Sequence, residues 1–308
     1  MRGLSIALRR RRAGGLRAAP LHGRHIRDGS PPVLFVHGAT FPSALAADFP
    51  FGGVSWMETL AARGHDVWAL DFLGYGQSDR YPEMAGLDVA GAALGTSSDA
   101  VLQIASAVEF IGAETRAARV AIVAHSWGCT PGGLFVTHHP ARVESFVMFG
   151  PIVTRAGTPQ RSPEQRFWDV TPEFQSHRWA SPGGVPLVDP SDQQPWLECY
   201  VSSDPTQRTP PAVRVPYGPM ADIERMLGGI DLYDPAEIRV PTLIVYGEWD
   251  EVTTPEDALR LFGRLTQASE RQLTMLDRGT HLMHLESGRR RLYAAVAAFI
   301  EKTPEAFP

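Results

Sequence analysis

Residues 119–128 read Arg-Val-Ala-Ile-Val-Ala-His-Ser-Trp-Gly, and the interruption of this apolar run by Ser126 decides the fold. The β-branched run to Ala124 predicts a strand buried on both faces, and the stretch from Trp127 to His138 predicts a helix. A serine at that junction sits on a tight strand-to-helix turn, which lifts its hydroxyl clear of the sheet edge. The turn needs small residues two positions before and after the serine, here Ala124 and Gly128, because backbone and side chain crowd there. The usual pattern is G-x-S-x-G, and the methyl group of Ala124 is the smallest departure from it. Alone the motif is common by chance. The strand before it, the helix after it and two partners downstream give it weight.

Those partners are Asp250 and His281. The run Val240–Tyr246 predicts a second buried strand, followed by Gly247-Glu248-Trp249-Asp250. Residues 272–276 predict a further strand, followed by Asp277-Arg278-Gly279-Thr280-His281. Ser126, Asp250 and His281 are therefore placed just past the carboxyl ends of parallel strands, where side chains from different strands converge on one crevice. A serine hydroxyl is a poor nucleophile near neutral pH and needs a base within hydrogen-bond reach. The imidazole of His281 suits that task, and the carboxylate of Asp250 would hold its tautomer. Glu248, Glu251 and Asp277 compete with Asp250, and His284 competes with His281 but is expected to face elsewhere. The plainer readings are a helix-capping serine and a core histidine.

A further apolar strand, Val33–Val36, ends in His37-Gly38-Ala39-Thr40. Gly38 lets the chain turn sharply, so the Ala39 amide can point at a developing oxyanion, with the Trp127 amide as second donor. His65–Asp71 predicts the next strand, running into Phe72-Leu73-Gly74-Tyr75-Gly76-Gln77-Ser78. His37 and Asp71 are expected to brace these loops, and His125 to pack inward. His138 and His139 lack a third metal ligand nearby, and no phosphate-cradling G-x-G-x-x-G follows the first strand. Neither a metal nor a cofactor is expected.

Taken in order, VLFVHG, DFLGYGQS, AHSWG, GEWD and GTH resemble the α/β-hydrolase superfamily over nearly all of residues 31–299. The resemblance implies a mostly parallel, doubly wound sheet with an inserted cap and a Ser126-His281-Asp250 triad. The implied reaction is cleavage of a carboxylic ester or lactone. Haloalkane dehalogenases and epoxide hydrolases of this superfamily carry aspartate at the elbow, so neither activity is implied. Ser126-Trp127-Gly128 is also similar to the G-G-S-W-G elbow of proline iminopeptidases. Those enzymes carry H-G-G-P-G at the first loop, where this chain has His37-Gly38-Ala39-Thr40-Phe41. An aminopeptidase, a carbon–carbon bond hydrolase and a non-catalytic receptor on the same fold remain alternatives.

The chain has 308 residues, enough for one large core and an insertion, and its net charge of −5 argues against a nucleic-acid partner. Two cysteines, Cys129 and Cys199, make no disulfide framework and suggest reduced thiols in the cytoplasm. Arg9–Arg12 follows rather than precedes the short apolar segment Leu4–Leu8, the reverse of a secretory signal. A solvated terminus is expected there, and no run approaches the ~20 apolar residues of a membrane span. The expected partner is a small molecule rather than a membrane.

Residues 1–30 are read as an N-terminal extension with a possible edge strand, residues 31–150 and 236–308 as the core, and residues 151–235 as the cap. The core helices are expected at Val54–Arg63, Ser97–Ile111, Trp127–His138, Pro255–Leu265 and Ser287–Lys302. Residues 151–235 are dense in proline and lack apparent strand runs, so short irregular helices are expected. Their rings include Phe167, Trp168, Phe174, Trp179, Trp196, Tyr200 and Tyr217. Phe167, Trp168, Trp179, Trp196 and Tyr200, with the Trp127 indole, are the candidates for a substrate-pocket wall.

Overall fold

The computed structural model describes residues 3–12, 30–158, 164–179, 181–182 and 184–302. The apolar runs form strands β1 (Ala7–Arg11), β2 (Val33–Val36), β3 (Val67–Asp71), β4 (Val120–His125) and β5 (Val143–Phe149). The insertion contributes β6 (Phe167–Val170) and β7 (Val213–Pro216), and β8 (Thr242–Gly247) and β9 (Arg271–Leu276) follow it. The main sheet runs β1-β3-β2-β4-β5-β8-β9, parallel throughout except for β1 at one edge.

Successive residues of the central strands serve opposite layers, as the two-residue period of a strand requires. Val33, Phe35, Val67, Val123, Val147 and Leu243 face helices α2 (Trp56–Ala62) and α9 (Arg289–Ile300). Leu34, Leu70, Ile122, Phe146 and Ile244 face α3 (Ser97–Thr115), α4 (Cys129–His138) and α8 (Pro255–Arg264). Trp56 stacks on Tyr293 at 4.7 Å between ring centroids and joins the first pair of helices. A short helix, α1 (Ser43–Ala46), precedes α2, and α5 (Pro172–His177), α6 (Pro190–Ser202) and α7 (Gly218–Leu227) belong to the insertion.

Helix ends follow local chemistry. Ser55 and Glu58 form a reciprocal capping box on α2, and Thr254 and Asp257 do the same on α8 with Pro255 in the first turn. The expected start of α4 at Trp127 moves to Cys129, because Ser126–Gly128 forms a tight 3₁₀ turn first.

Two expectations are corrected. The insertion does contain strands, since β6 and β7 pair antiparallel from Phe167 opposite Pro216 to Val170 opposite Val213. Four-residue strands bounded by prolines leave too short an alternation to read. The arginine run is also not simply solvated, because Arg9–Arg11 lie in β1, paired with β3. Arg10 binds Asp66 through two nitrogens and lies 4.2 Å from the Trp68 ring centroid, and Arg11 reaches Asp48 at 2.8 Å. Most of the expected N-terminal extension lies outside the described residues. Among the described residues, no helix is long and apolar enough to cross a membrane, and Cys129 (buried) and Cys199 (exposed) are unpaired.

Candidate active site

β4 delivers Ser126 with φ +57°, the left-handed region that a non-glycine residue enters at a cost. The end of β2 presses on this turn. A Cβ on Gly128 would lie 2.4 Å from the His37 carbonyl oxygen and 2.9 Å from that of Val36, so glycine is required there. Facing Ala124 on α4 is Gly132, where a Cβ would make an ordinary 3.6 Å contact with the Ala124 methyl but crowd the Phe146 ring at 3.1 Å.

Ser126 Oγ lies 2.8 Å from His281 Nε2, and His281 Nδ1 lies 3.1 and 3.0 Å from the two carboxylate oxygens of Asp250. All three side chains are buried. The carboxylate only accepts, so the ring proton belongs on Nδ1, and Nε2 is left to accept from the serine hydroxyl. The structure brings together these three residues and none of their rivals. Asp277 binds Arg291 on the surface, Glu248 accepts the Arg278 amide at 3.0 Å, and Glu251 is exposed. His284 packs against His125 at 4.4 Å between ring centroids and against Phe41, and forms no hydrogen bond to Ser126.

Loop chemistry holds each group in place. Asp250 Oδ1 accepts the Val252 and Thr253 amides at 2.8 and 2.9 Å. The loop carrying His281 is braced by Glu286, which accepts the Thr280 hydroxyl and amide, and by His125, whose Nε2 donates to the His281 carbonyl at 3.0 Å. Burial raises the Glu286 pKa and pushes those of His125 and His284 well below the ordinary imidazole range, so both rings stay neutral. His37 donates from Nδ1 to Gly38 O at 2.8 Å and accepts the Phe72 amide at 3.1 Å. Asp71 accepts from the Ser43 amide and hydroxyl and from the Gln77 amide. The Tyr75 hydroxyl donates to Ala39 O at 2.7 Å, which orients the Ala39 loop. Neither the Ala39 nor the Trp127 amide has an acceptor among the described residues, as oxyanion donors require.

The insertion closes over this assembly. A cavity of about 300 Å³ is lined by Ser126, His281 and Phe41 of the core and by Ile152, Phe174, Arg178, Met220, Ile223 and Leu227 of the insertion. The expected ring wall is corrected, because none of its six candidates lines this cavity. Phe167 is buried with Leu73, Tyr81 and Met84, and Trp168 packs edge-on to Phe174. Trp196 lies within 5.5 Å, centroid to centroid, of Trp179, Tyr200 and Phe41. The Trp127 indole meets Phe72 at 5.5 Å. These rings supply the insertion's own packing, and its apolar contribution to the cavity wall comes from Ile152, from Phe174 and from Met220, Ile223 and Leu227 of α7.

The Trp127 Nε1–H donates to Asp222 Oδ2 at 3.0 Å, and the same oxygen accepts the Ser97 amide at 2.6 Å. Asp222 on α7 thereby ties the insertion to the turn carrying Ser126. Burial raises its pKa, against these bonds and Arg225, which lower it. An acid with a raised folded pKa stabilises the fold below its unfolded value of about 4 and loses that contribution as pH rises through the folded value. Asp222→Asn keeps an acceptor oxygen and removes the charge. Its denaturation midpoint relative to the native chain is therefore expected to improve from pH 4 to pH 7. A relative midpoint that falls over that range would contradict this account.

Comparison with known proteins agrees with this architecture. A family profile described as serine aminopeptidase, S33, matches residues 33–288. No curated protein sequence matches the chain. Among solved structures, the thioesterase domain from the curacin biosynthetic pathway superposes with a TM-score of 0.62 at 17% identity, covering 98% of this chain and 97% of that one. The 2-hydroxy-6-oxo-6-phenylhexa-2,4-dienoate hydrolase of Rhodococcus sp. strain RHA1 gives 0.61 at 19% identity over 89% and 91%. The enol-lactonase of Burkholderia xenovorans LB400 gives 0.59 at 15% identity over 98% of each chain. Sheet order, elbow and family match together make this chain a member of the α/β-hydrolase superfamily, within the S33 serine aminopeptidase family.

Proposed function

We propose that the protein is a serine hydrolase that cleaves a carboxylic ester or lactone through an acyl-enzyme. The observation carrying this reading is the continuous Asp250–His281–Ser126 hydrogen-bond chain opening into a largely apolar cavity. In this mechanism Ser126 Oγ attacks the substrate carbonyl carbon while His281 Nε2 takes the hydroxyl proton. The Ala39 and Trp127 amides donate to the carbonyl oxygen as it gains charge. The tetrahedral intermediate collapses, and the departing alkoxide takes the proton from His281. Water then repeats the sequence on the acyl group, with His281 as base.

The family description names an aminopeptidase, a reaction that must neutralise a substrate ammonium group. The cavity is poorly suited to that. Its charged lining comprises Arg155, Arg178 and the exposed Glu251. The insertion's Glu164, Glu173, Glu198 and Asp222 do not line it. The purified protein is expected to show a higher kcat/KM on a short aryl ester than on a prolyl arylamide at equal pH. A preference for the prolyl amide that disappears in Glu251→Gln would replace the esterase reading with a peptidase.

A further inference from the structure

Arg178, just past the end of α5, is the one arginine among the described residues of the insertion without a carboxylate partner. Arg166, Arg208, Arg214 and Arg225 each lie within 4 Å of an aspartate. Arg178 Nη1 donates to Thr40 Oγ1 at 3.0 Å and to Gln175 Oε1 at 3.2 Å, both neutral. Its Nε and Nη2 donate to no described residue, although the side chain lines the cavity above Ser126. The other lining cation, Arg155, is neutralised by Asp257 through Nε and Nη2 and also donates to the Val252 carbonyl. Burial draws the Arg178 pKa down to about 10, so the group still carries its charge at neutral pH. No carboxylate of the described residues lies within 4 Å of this half-buried cation, although the Asp250 charge acts on it from farther off, and the Nε–Nη2 edge of a guanidinium matches the two oxygens of a carboxylate.

We propose that Arg178 anchors a free carboxylate on the substrate, so that the ester cleaved at Ser126 carries a second, ionised acid group beside its apolar body. This deepens the hydrolase reading and rests on it. Thr40 follows Ala39, so the anchor stands on the oxyanion side of the cavity, and an acyl chain bearing the carboxylate would span from Ser126 to α5.

The test compares p-nitrophenyl hemiglutarate with p-nitrophenyl 5-methylhexanoate, in which an isopropyl group replaces the carboxylate. Binding of each is measured by calorimetry on full-length Ser126→Ala protein, so that no turnover is needed. The hemiglutarate is expected to bind at least about tenfold more tightly, the ratio typical of a hydrogen bond to a charged group. Adding Arg178→Met should bring the two affinities within about twofold, and adding Arg178→Lys should retain part of the preference. Equal affinities with Arg178 intact overturn the proposal whether or not the methionine variant folds. An equal loss for both esters in Arg178→Met also overturns it and leaves Arg178 as a brace for Thr40. Turnover by the native chain is read separately. Hydrolysis of the neutral ester without a binding preference removes only the anchor, whereas a binding preference without hydrolysis of either ester removes only the hydrolase reading.

Discussion

Ser126→Ala is expected to lower ester turnover by on the order of 10⁶, with His281→Ala losing a similar factor, because nucleophile and base act as one unit. The serine already occupies φ +57°, so alanine meets the same backbone strain and the turn should survive. The Gly128 contact with the end of β2 and the Tyr75 bond to the Ala39 loop do not involve the hydroxyl. Thermal unfolding should therefore change little while turnover collapses. A fluorophosphonate probe should label the native chain once, with the adduct mapped to Ser126, and should leave the variant unlabelled. Unchanged labelling of Ser126→Ala would place the nucleophile elsewhere.

Asp250→Asn is expected to cost on the order of 10³–10⁴ in kcat, and the geometry says why. Oδ1 of Asp250 accepts two backbone amides, from Val252 and Thr253. An asparagine must keep its carbonyl oxygen there, which turns its NH₂ group toward His281 Nδ1. Nδ1 then has to accept, the ring proton moves to Nε2, and Nε2 can no longer take the proton of Ser126. The parallel change Asp277→Asn touches only the surface contact with Arg291 and should leave kcat within about twofold. Steady-state kinetics on both variants decides between the carboxylates. A crippled Asp277→Asn beside a nearly intact Asp250→Asn would reverse the assignment.

The core was legible because its information is local. Apolar runs of four to seven residues, each ending in a small residue and a polar one, mark strands and the chemistry at their ends. Ser126, Asp250 and His281 follow from such runs, as does the role of Gly128 between strand and helix. The insertion was less legible because its packing depends on which ring meets which, and spacing alone does not encode that. Phe167, Trp168, Trp179, Trp196 and Tyr200 all read as apolar and flat, yet they pack on one another, on core residues or behind Phe174, and none lines the cavity. The actual wall had a readable signal in Met220, Ile223 and Leu227, spaced three and four residues apart along α7 as one helical face. Glu286 carries no motif, and His125 lies within the elbow motif without that motif revealing its bond to the histidine loop. Their roles arise from buried bonds to Thr280 and to the His281 carbonyl, formed only after the loops meet.

The bond between Trp127 and Asp222 bears on how this protein can diverge. An insertion that merely rested on the sheet could be exchanged between relatives as an interchangeable module, with substrate preference travelling along with it. Here a residue 95 positions away supplies the acceptor for the indole beside Ser126. A transplanted insertion lacking that acid would orphan a buried donor at the turn carrying Ser126. Exchanging the insertion therefore requires an acceptor at position 222 to come with it, or a change at Trp127 that removes the donor.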